Sequence, residues 1–504
     1  HKVTLTGVTS YSHGQSDSNN MRASGQPLDS YLFYNMASGI TKYGVKSNYS
    51  QSQKMSYALR LNYVYNDKYI ASFTTRWDGA SHLASGHKWE SFPAGALAWR
   101  VSQEPFMEST KKWLNNLKLR LSYGITGNSG GMGAYSSQTG AATYSPVSID
   151  GELSSVSQLV SPYGNPSIGW EKTYQWNYGV DLGFFDGRIN LSFDYYDSKT
   201  KDLLFSRTLP VTSAITAWGS PMATWQNIGE TSNKGYEIQL STVNVKSRNF
   251  QWSSSISYTH NDEKIVDLPD GDLIAKKLFE GHPIKTFYDF KYAGIWSTAE
   301  EEEAAKYGCQ PGYVKIETVE QFTTDENGNL VGDGGVHTYS NTRDLQILGS
   351  NVPDGILGVN NTFKYRDFDL SVFAIVRYGQ MIDSKTIGWY SANGNNQPRG
   401  TNYWTPENQS AYFPRPGIAS TTGIGSLKYI DGSYAKIKNI TLGYTFPKKL
   451  CKTLGLEQCR LYATAYNVFV LPFKSELKHS DPENNGSDTF PLYKTYLLGL
   501  NVSF

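Results

Sequence analysis

The chain is poor in the features of a soluble enzyme and of a helical membrane protein. Three cysteines in 504 residues, Cys309, Cys451 and Cys459, make no disulfide framework. Cys451 and Cys459 flank a turn, so two free thiols and a bridge formed in an oxidising compartment both stay open. No run approaches the roughly 18 apolar residues of a spanning helix, so insertion into lipid is left to a closed barrel, the other structure that satisfies its own backbone there. A formal net charge of +1 excludes the basic footprint of a nucleic-acid binder. The eight His show neither HExxH nor paired metal spacing, no stretch reads as a catalytic site, and the expectation is that the chain is not an enzyme. The acidic run Glu300–Glu303 reads as a solvated loop. There is no initiating Met or signal peptide, and His1 leads almost directly into KVTLTGVTSY, so the expectation is a piece of a larger precursor.

What the chain has in quantity is period two. Tyr496, Leu498, Leu500, Val502 and Phe504 alternate with Thr495, Leu497, Gly499, Asn501 and Ser503, the pattern of a strand. Trp176–Phe184, Ile189–Tyr196, Phe250–Thr259 and Asn439–Phe446 repeat it, with Ser, Asn, Gly and Thr on the polar side. A soluble sandwich covers its outside with Lys and Glu; small polar residues suit a wet lumen. Aromatics make up 14% of the chain, led by 36 Tyr, the residue that suits the two interfaces of a barrel. The fold expected is all-β, a transmembrane antiparallel barrel with no domain break over residues 1–504. Tyr178, Leu191, Tyr258 and Leu442 are expected to face lipid, and Asn177, Asn190, Ser257 and Thr441 the lumen.

Connections alternate between short and long, which in such barrels separates periplasmic turns from external loops. The tight turns are Asn66-Asp67-Lys68, Phe185-Asp186-Gly187, Lys246–Arg248 and Tyr365-Arg366-Asp367. Between His260 and Leu357 the count from a periplasmic carboxyl terminus is one strand short, and the repair expected is Leu273–Phe279 descending, EGHPI turning in the periplasm and Thr286–Trp296 ascending. With that pair the chain carries about sixteen strands, an even number, with the carboxyl terminus periplasmic.

The stretches WDGASHLASGHKWESFPAGALAWRVSQEPFM (Trp77–Met107), Asn165–Leu204, NIGETSNKGYEIQLS (Asn227–Ser241) and YWTPENQSAYFPRP (Tyr403–Pro416), with the closing aromatic strand, resemble the barrel of SusC/RagA-like TonB-dependent transporters. The resemblance implies a plugged outer-membrane barrel that imports nutrients with a SusD-like surface lipoprotein and is powered by TonB. Barrels of that class have about 22 strands, so a further six or so, with the plug and the TonB-contacting segment, would come from a preceding amino-terminal part. TDENGNLVGDGG (Thr324–Gly335) falls where that family often has a loop that looks like a calcium site. Asp325, Asn327 and Asp333 can supply oxygen ligands, but their spacing is irregular and a turn-rich loop is the simpler reading; no cofactor is otherwise implied.

The external loops hold Trp218, Trp225, Trp389, Tyr390, Tyr403, Trp404 and Tyr412 among Asn, Gln, Ser and Gly. Aromatic faces beside amides and hydroxyls suit sugar rings, which points to an oligosaccharide cargo. The bland alternative is that these rings pack the loops or meet the lipoprotein. A peptide importer, a passive porin and a non-transporting adhesin are the competing functions.

Overall fold

The computed structural model describes all residues except 150, 160–162, 211, 213–215, 218–219, 327–328, 392–399 and 418–421, and for 42–45, 141–149, 153–159, 216–217 and 220 it describes the backbone alone. Fourteen strands form one sheet and follow each other in chain order. They are β1 (Lys2–Ser24), β2 (Thr41–Tyr65), β3 (Tyr69–Ala80), β4 (Trp89–Arg100), β5 (Leu114–Asn128), β6 (Glu171–Phe184) and β7 (Ile189–Lys201), then β8 (Glu230–Lys246), β9 (Phe250–Asp267), β10 (Gly355–Tyr365), β11 (Phe368–Tyr378), β12 (Tyr434–Thr445), β13 (Gln458–Pro472) and β14 (Thr495–Ser503). Connections after even-numbered strands are mostly tight, as at 66–68, 185–188 and 366–367, with 101–113 and 446–457 longer. Those after odd-numbered strands are long, as at 129–170, 268–354 and 379–433, with 81–88 the exception.

The chain divides into two compact units, one of His1–Trp99, Arg120–Asn177 and Ser198–Thr231, the other of Arg100–Leu119, Tyr178–Asp197 and Ser232–Phe504. In the first, antiparallel registers place Leu5, Leu61, Phe73 and Gly95 in one cross-strand row and Val3, Tyr63, Ala71 and Leu97 in another. The rows between them carry Thr4, Asn62, Ser72 and Ala96, or Thr6, Arg60, Thr74 and Ala94. One face is therefore apolar and the other polar, and Leu5, Phe73 and Leu97 on the apolar face are exposed. The β2–β3 turn needs positive φ at Asn66 and Asp67, which their short polar side chains tolerate. At the long-loop end Phe92 and Trp170 meet edge to face at 5.3 Å, in a small core with Ala80 and Leu83. Gly127 completes that core by having no side chain, since a Cβ there would lie 2.0 Å from the Phe92 ring.

The second unit repeats the two-faced design. Trp252, Phe363, Leu370, Leu442, Ala463 and Leu498 lie in one row, and Ser253, Thr362, Ser371, Thr441, Thr464 and Leu497 in the next. Tyr258 shares its row with Leu357 and Val376, and Ser257 with Gly358 and Ile375. The polar face binds to itself: Thr441 and Thr464 share a hydroxyl hydrogen bond of 2.9 Å, and Arg460 pairs with Asp369. A bulge at Lys438 faces another at Asn467, whose φ is positive.

Two expected barrel strands do not lie in this sheet. β9 pairs directly with β10, from Phe250 opposite Tyr365 to Thr259 opposite Ile356, which leaves no edge for another pair. Leu273–Phe279 contains a single 3-10 turn, with Lys277 left-handed. Thr286–Ile295 is a strand, but it pairs with Val314–Glu317 and Leu345–Ser350 in a separate three-stranded sheet. Its apolar side chains had another destination: Phe290 packs with Val314 and Ile316, and the adjoining Trp296 with Ala304 and Tyr313, in cores of the long connections. The main sheet among the described residues thus has fourteen strands rather than sixteen, still an even number. Two boundaries also moved. β1, which alternation alone ends near Tyr11, runs to Ser24, and β2, which alternation alone starts near Met55, starts at Thr41, because Ser12–Ser24 pairs with Thr41–Lys54 without any apolar alternation. The acidic run is a helix start, not a loop: Ser297 and Glu300 form a capping box ahead of helix Glu301–Lys306, and carboxylates favour a helix amino end.

Candidate binding site

The aromatic residues singled out in the connection between β11 and β12 fall into two kinds. Ser384 caps a one-turn helix, Lys385–Gly388, which ends on Trp389. That indole is 52% exposed, and its Nε1–H donates to Asp488 at 2.9 Å. Tyr390 is turned inward, 7% exposed, stacked on Phe413 at 4.7 Å and donating its hydroxyl to the Pro414 carbonyl. Burial pushes the Tyr390 phenol up to about 12. Tyr403 is 43% exposed while its neighbour Trp404 is 3% exposed. Trp404 is fixed through its backbone N–H to the Phe413 carbonyl, and its ring lies so close to Gly312 that a Cβ there would sit 2.8 Å from Cε3. Gly312 also has φ +86, so two demands converge on glycine.

Tyr403 and Trp404 border a cavity of about 590 Å³ whose wall also includes Thr298, Glu301, Gln310 and Arg415. Arg415 lies over the Tyr313 ring at 5.4 Å and donates to Gln310 Oε1 at 3.3 Å. The wall is held by Glu300, which accepts from Lys315 at 2.7 Å and from Ser297; Lys315 first, then the Ser297 backbone, hold its carboxyl down to about 2. A buried ring has both faces spent on protein, so the faces available to a ligand belong to Trp389 and Tyr403. Tyr390, Trp404 and Tyr412, whose hydroxyl donates to the Leu427 carbonyl at 2.5 Å, pack the loops beneath them.

Trp225 belongs to the first unit, half-buried in the short strand Ala223–Asn227, with its carbonyl bonded by the Asn165 amide at 2.7 Å. Trp218 and Asn327 lie outside the described residues. Asp325 accepts from the Asn329 backbone at 2.8 Å, beside the paired strands Phe322–Thr324 and Leu330–Gly332. Asp333 accepts from the N–H groups of Gln321 and Gly335 and meets His337 Nδ1 at 2.7 Å. Among the described residues no group of three or more metal-ligating side chains comes together. All three cysteines are free thiols. Reading the sequence missed Glu301, Gln310, Arg415 and Asp488; the charged residues carry no periodic signal, and only the fold of the long connections brings them to the rings.

Residues 2–468 match the TonB-dependent receptor-like β-barrel family. The chain belongs to that family. Its barrels sit in the outer membrane, and it is a family of transport receptors rather than of enzymes. Over its full length the chain is 30% identical to TonB-dependent receptor P3 of Formosa agariphila, of which it covers 51%. It is also 30% identical to TonB-dependent receptor SusC of Bacteroides thetaiotaomicron over 89% of this chain and 44% of that one. The chain thus spans about half the length of the relatives it matches. The RagAB peptide transporter has the same fold, with a TM-score of 0.79 at 22% identity, over 100% of this chain and 54% of that one.

Proposed function

We propose that this chain is the carboxyl-terminal part of the barrel of an outer-membrane importer of the SusC/RagA type, and that its cargo is an oligosaccharide. The apolar cross-strand rows face lipid and the polar rows face the lumen. Short turns lie in the periplasm with the carboxyl terminus, and the long connections lie outside. Among the described residues β1 is hydrogen-bonded to one strand, β2, and β14 to one strand, β13. An open edge is not tolerated in lipid, so the strands that complete the barrel, with the plug and the TonB-contacting segment, come from an amino-terminal part of the same transporter. A SusD-like lipoprotein closes the external side, and no cofactor is needed.

The observation that carries the cargo assignment is the pair of exposed rings, Trp389 and Tyr403, on loops rich in amide and hydroxyl groups. Sugars offer apolar C–H faces ringed by hydroxyls, and such rings match both. A second reading, peptide cargo, is favoured by the opposite charges of Glu301 and Arg415 in the cavity wall, which suit the charged ends of a short peptide. Calorimetry of the assembled transporter against oligosaccharides and short peptides separates the two. Replacing Trp389 and Tyr403 with Ala together is expected to weaken oligosaccharide binding by about 1–3 kcal/mol, because two apolar faces no longer cover the sugar. Binding of peptides with no response to any oligosaccharide moves the cargo to peptide and leaves the importer reading in place.

A further inference from the structure

The connection between β13 and β14 is held at its middle by a buried lysine. Lys436 lies on β12 in the row of Ile375 and Val470, on the polar face, and is 2% exposed. Its Nζ donates to Asp481 at 2.5 Å and to Glu483 at 2.6 Å, and Lys438, from the bulge, also meets Glu483. Asp481 in turn caps the turn Pro482–Asn484 by accepting from the Glu483 N–H at 3.1 Å. The chain then runs back against the loop that carries Trp389. The Gly486 carbonyl accepts from the Lys385 N–H at 2.8 Å, and a Cβ on Gly486 would lie 2.3 Å from the Asp383 carbonyl oxygen, so the approach requires glycine. Two residues later Asp488 receives the Trp389 Nε1–H.

Among the described residues Trp389 is held besides by its backbone N–H, which donates to the Lys385 carbonyl at 3.0 Å within its own turn. It is half in solvent and follows a helix of one turn, too short to hold an orientation by itself. Its indole N–H is received by a segment whose own position is set by charges on the barrel wall. A lysine this deep, flanked by two carboxylates, is worth most as a specifier of position: removing it leaves buried negative charge that must move to water. We propose that Lys436 is a positioning residue for ligand recognition, fixing the Asp481–Asp488 segment on the barrel wall and, through Asp488, the orientation of Trp389. The inference rests on Trp389 being a platform for cargo.

The test uses the assembled transporter labelled with 5-fluorotryptophan, the Trp389 fluorine line being identified with Trp389→Phe. Lys436→Met is expected to raise hydrogen exchange across Asp481–Asp488 by more than about tenfold, as for loss of a buried ionic partner, and to move the Trp389 line to the position of a solvated indole. Lys436→Arg, which keeps the charge, is expected to restore both. Should Lys436→Met fail to assemble, Gly486→Ala keeps every charge but forces the two loops apart, and is expected to shift the Trp389 line with exchange at Asp481–Glu483 unchanged. An unmoved Trp389 line in Lys436→Met or in Gly486→Ala, or equal damage by Arg and Met at 436, overturns the proposal. None of these readouts needs a ligand. A Trp389 line that moves while oligosaccharide affinity stays constant counts against the cargo reading, not against the positioning role.

Discussion

The hairpins β1–β2 and β10–β11 begin alike and end differently. Both have rows that largely alternate between apolar and polar over a membrane-sized length, and Arg366 in the β10–β11 turn takes positive φ as Asn66 and Asp67 do in the β2–β3 turn. Beyond that length β1–β2 continues for about a dozen residues on each strand, mostly polar in sequence and held by its backbone ladder. After Tyr378 the β10–β11 hairpin stops, and the chain enters connections with cores of their own, built on Ile382, Leu427, Ile430 and Leu477. One extension is described by its ladder of backbone hydrogen bonds and the other by burial. The two should therefore answer mutation, and pH, differently.

The largest difference is expected in the packed connections. Trp296→Ala removes an indole 2% exposed, which also lies under the Lys315 amine at 4.2 Å, and should cost about 3–5 kcal/mol of local stability, read by hydrogen exchange of residues 290–316. Little effect there would place these connections with the polar hairpin instead. Next comes acid. Lys315 and the Ser297 backbone hold the Glu300 carboxyl down, so its contribution is complete above the ordinary value of 4.5 and is lost as pH falls toward about 2. Exchange of Trp296–Tyr313 should rise over that window and the rise should flatten in Glu300→Gln. His337 carries the opposite sign. Burial pulls its pKa down, but Asp344 and Asp333, one on each ring nitrogen, outweigh burial and leave it raised. Its contribution is complete below 6.5 and is lost as pH rises through the raised value, which exchange of Gln321 and Gly335 should follow. The smallest effect belongs to the polar hairpin, where Ser18→Ala should stay within about 0.5 kcal/mol by thermal unfolding. A loss of several kcal/mol there would mean that the hairpin packs against something.

The same contrast explains what the sequence made legible. Where one face is apolar and the other polar, period two is enough, and the rows through Phe73, Tyr258 and Leu442 fall as the alternation predicts. Thr286–Ile295 alternates in the same manner but buries Phe290 in a small core, and period two does not reveal which apolar medium receives a side chain. The extension of β1 past Tyr11 carried no pattern at all, since a ladder of Ser, Gln and Asn needs none. Trp404 and Tyr390 were visible as aromatics, yet which rings stay open depended on Gly312, Phe413 and Pro414, partners distant in sequence or unremarkable as residues. Lys436 drew no reading from the sequence, because its two acidic partners lie 45 and 47 positions away.

The central claim, that the apolar rows meet lipid and the polar rows meet the lumen, is tested most directly at two adjacent positions. With Cys309, Cys451 and Cys459 replaced, a spin label is placed at Leu442→Cys or at Thr441→Cys of the assembled transporter in lipid vesicles. Leu442 is 52% exposed on the apolar face, and Thr441 points to the face where it bonds Thr464. The label at 442 should collide with oxygen and be shielded from a water-soluble nickel chelate, and the label at 441 should show the reverse. Equal access of both reagents at both positions, or the inverse pattern, contradicts the account.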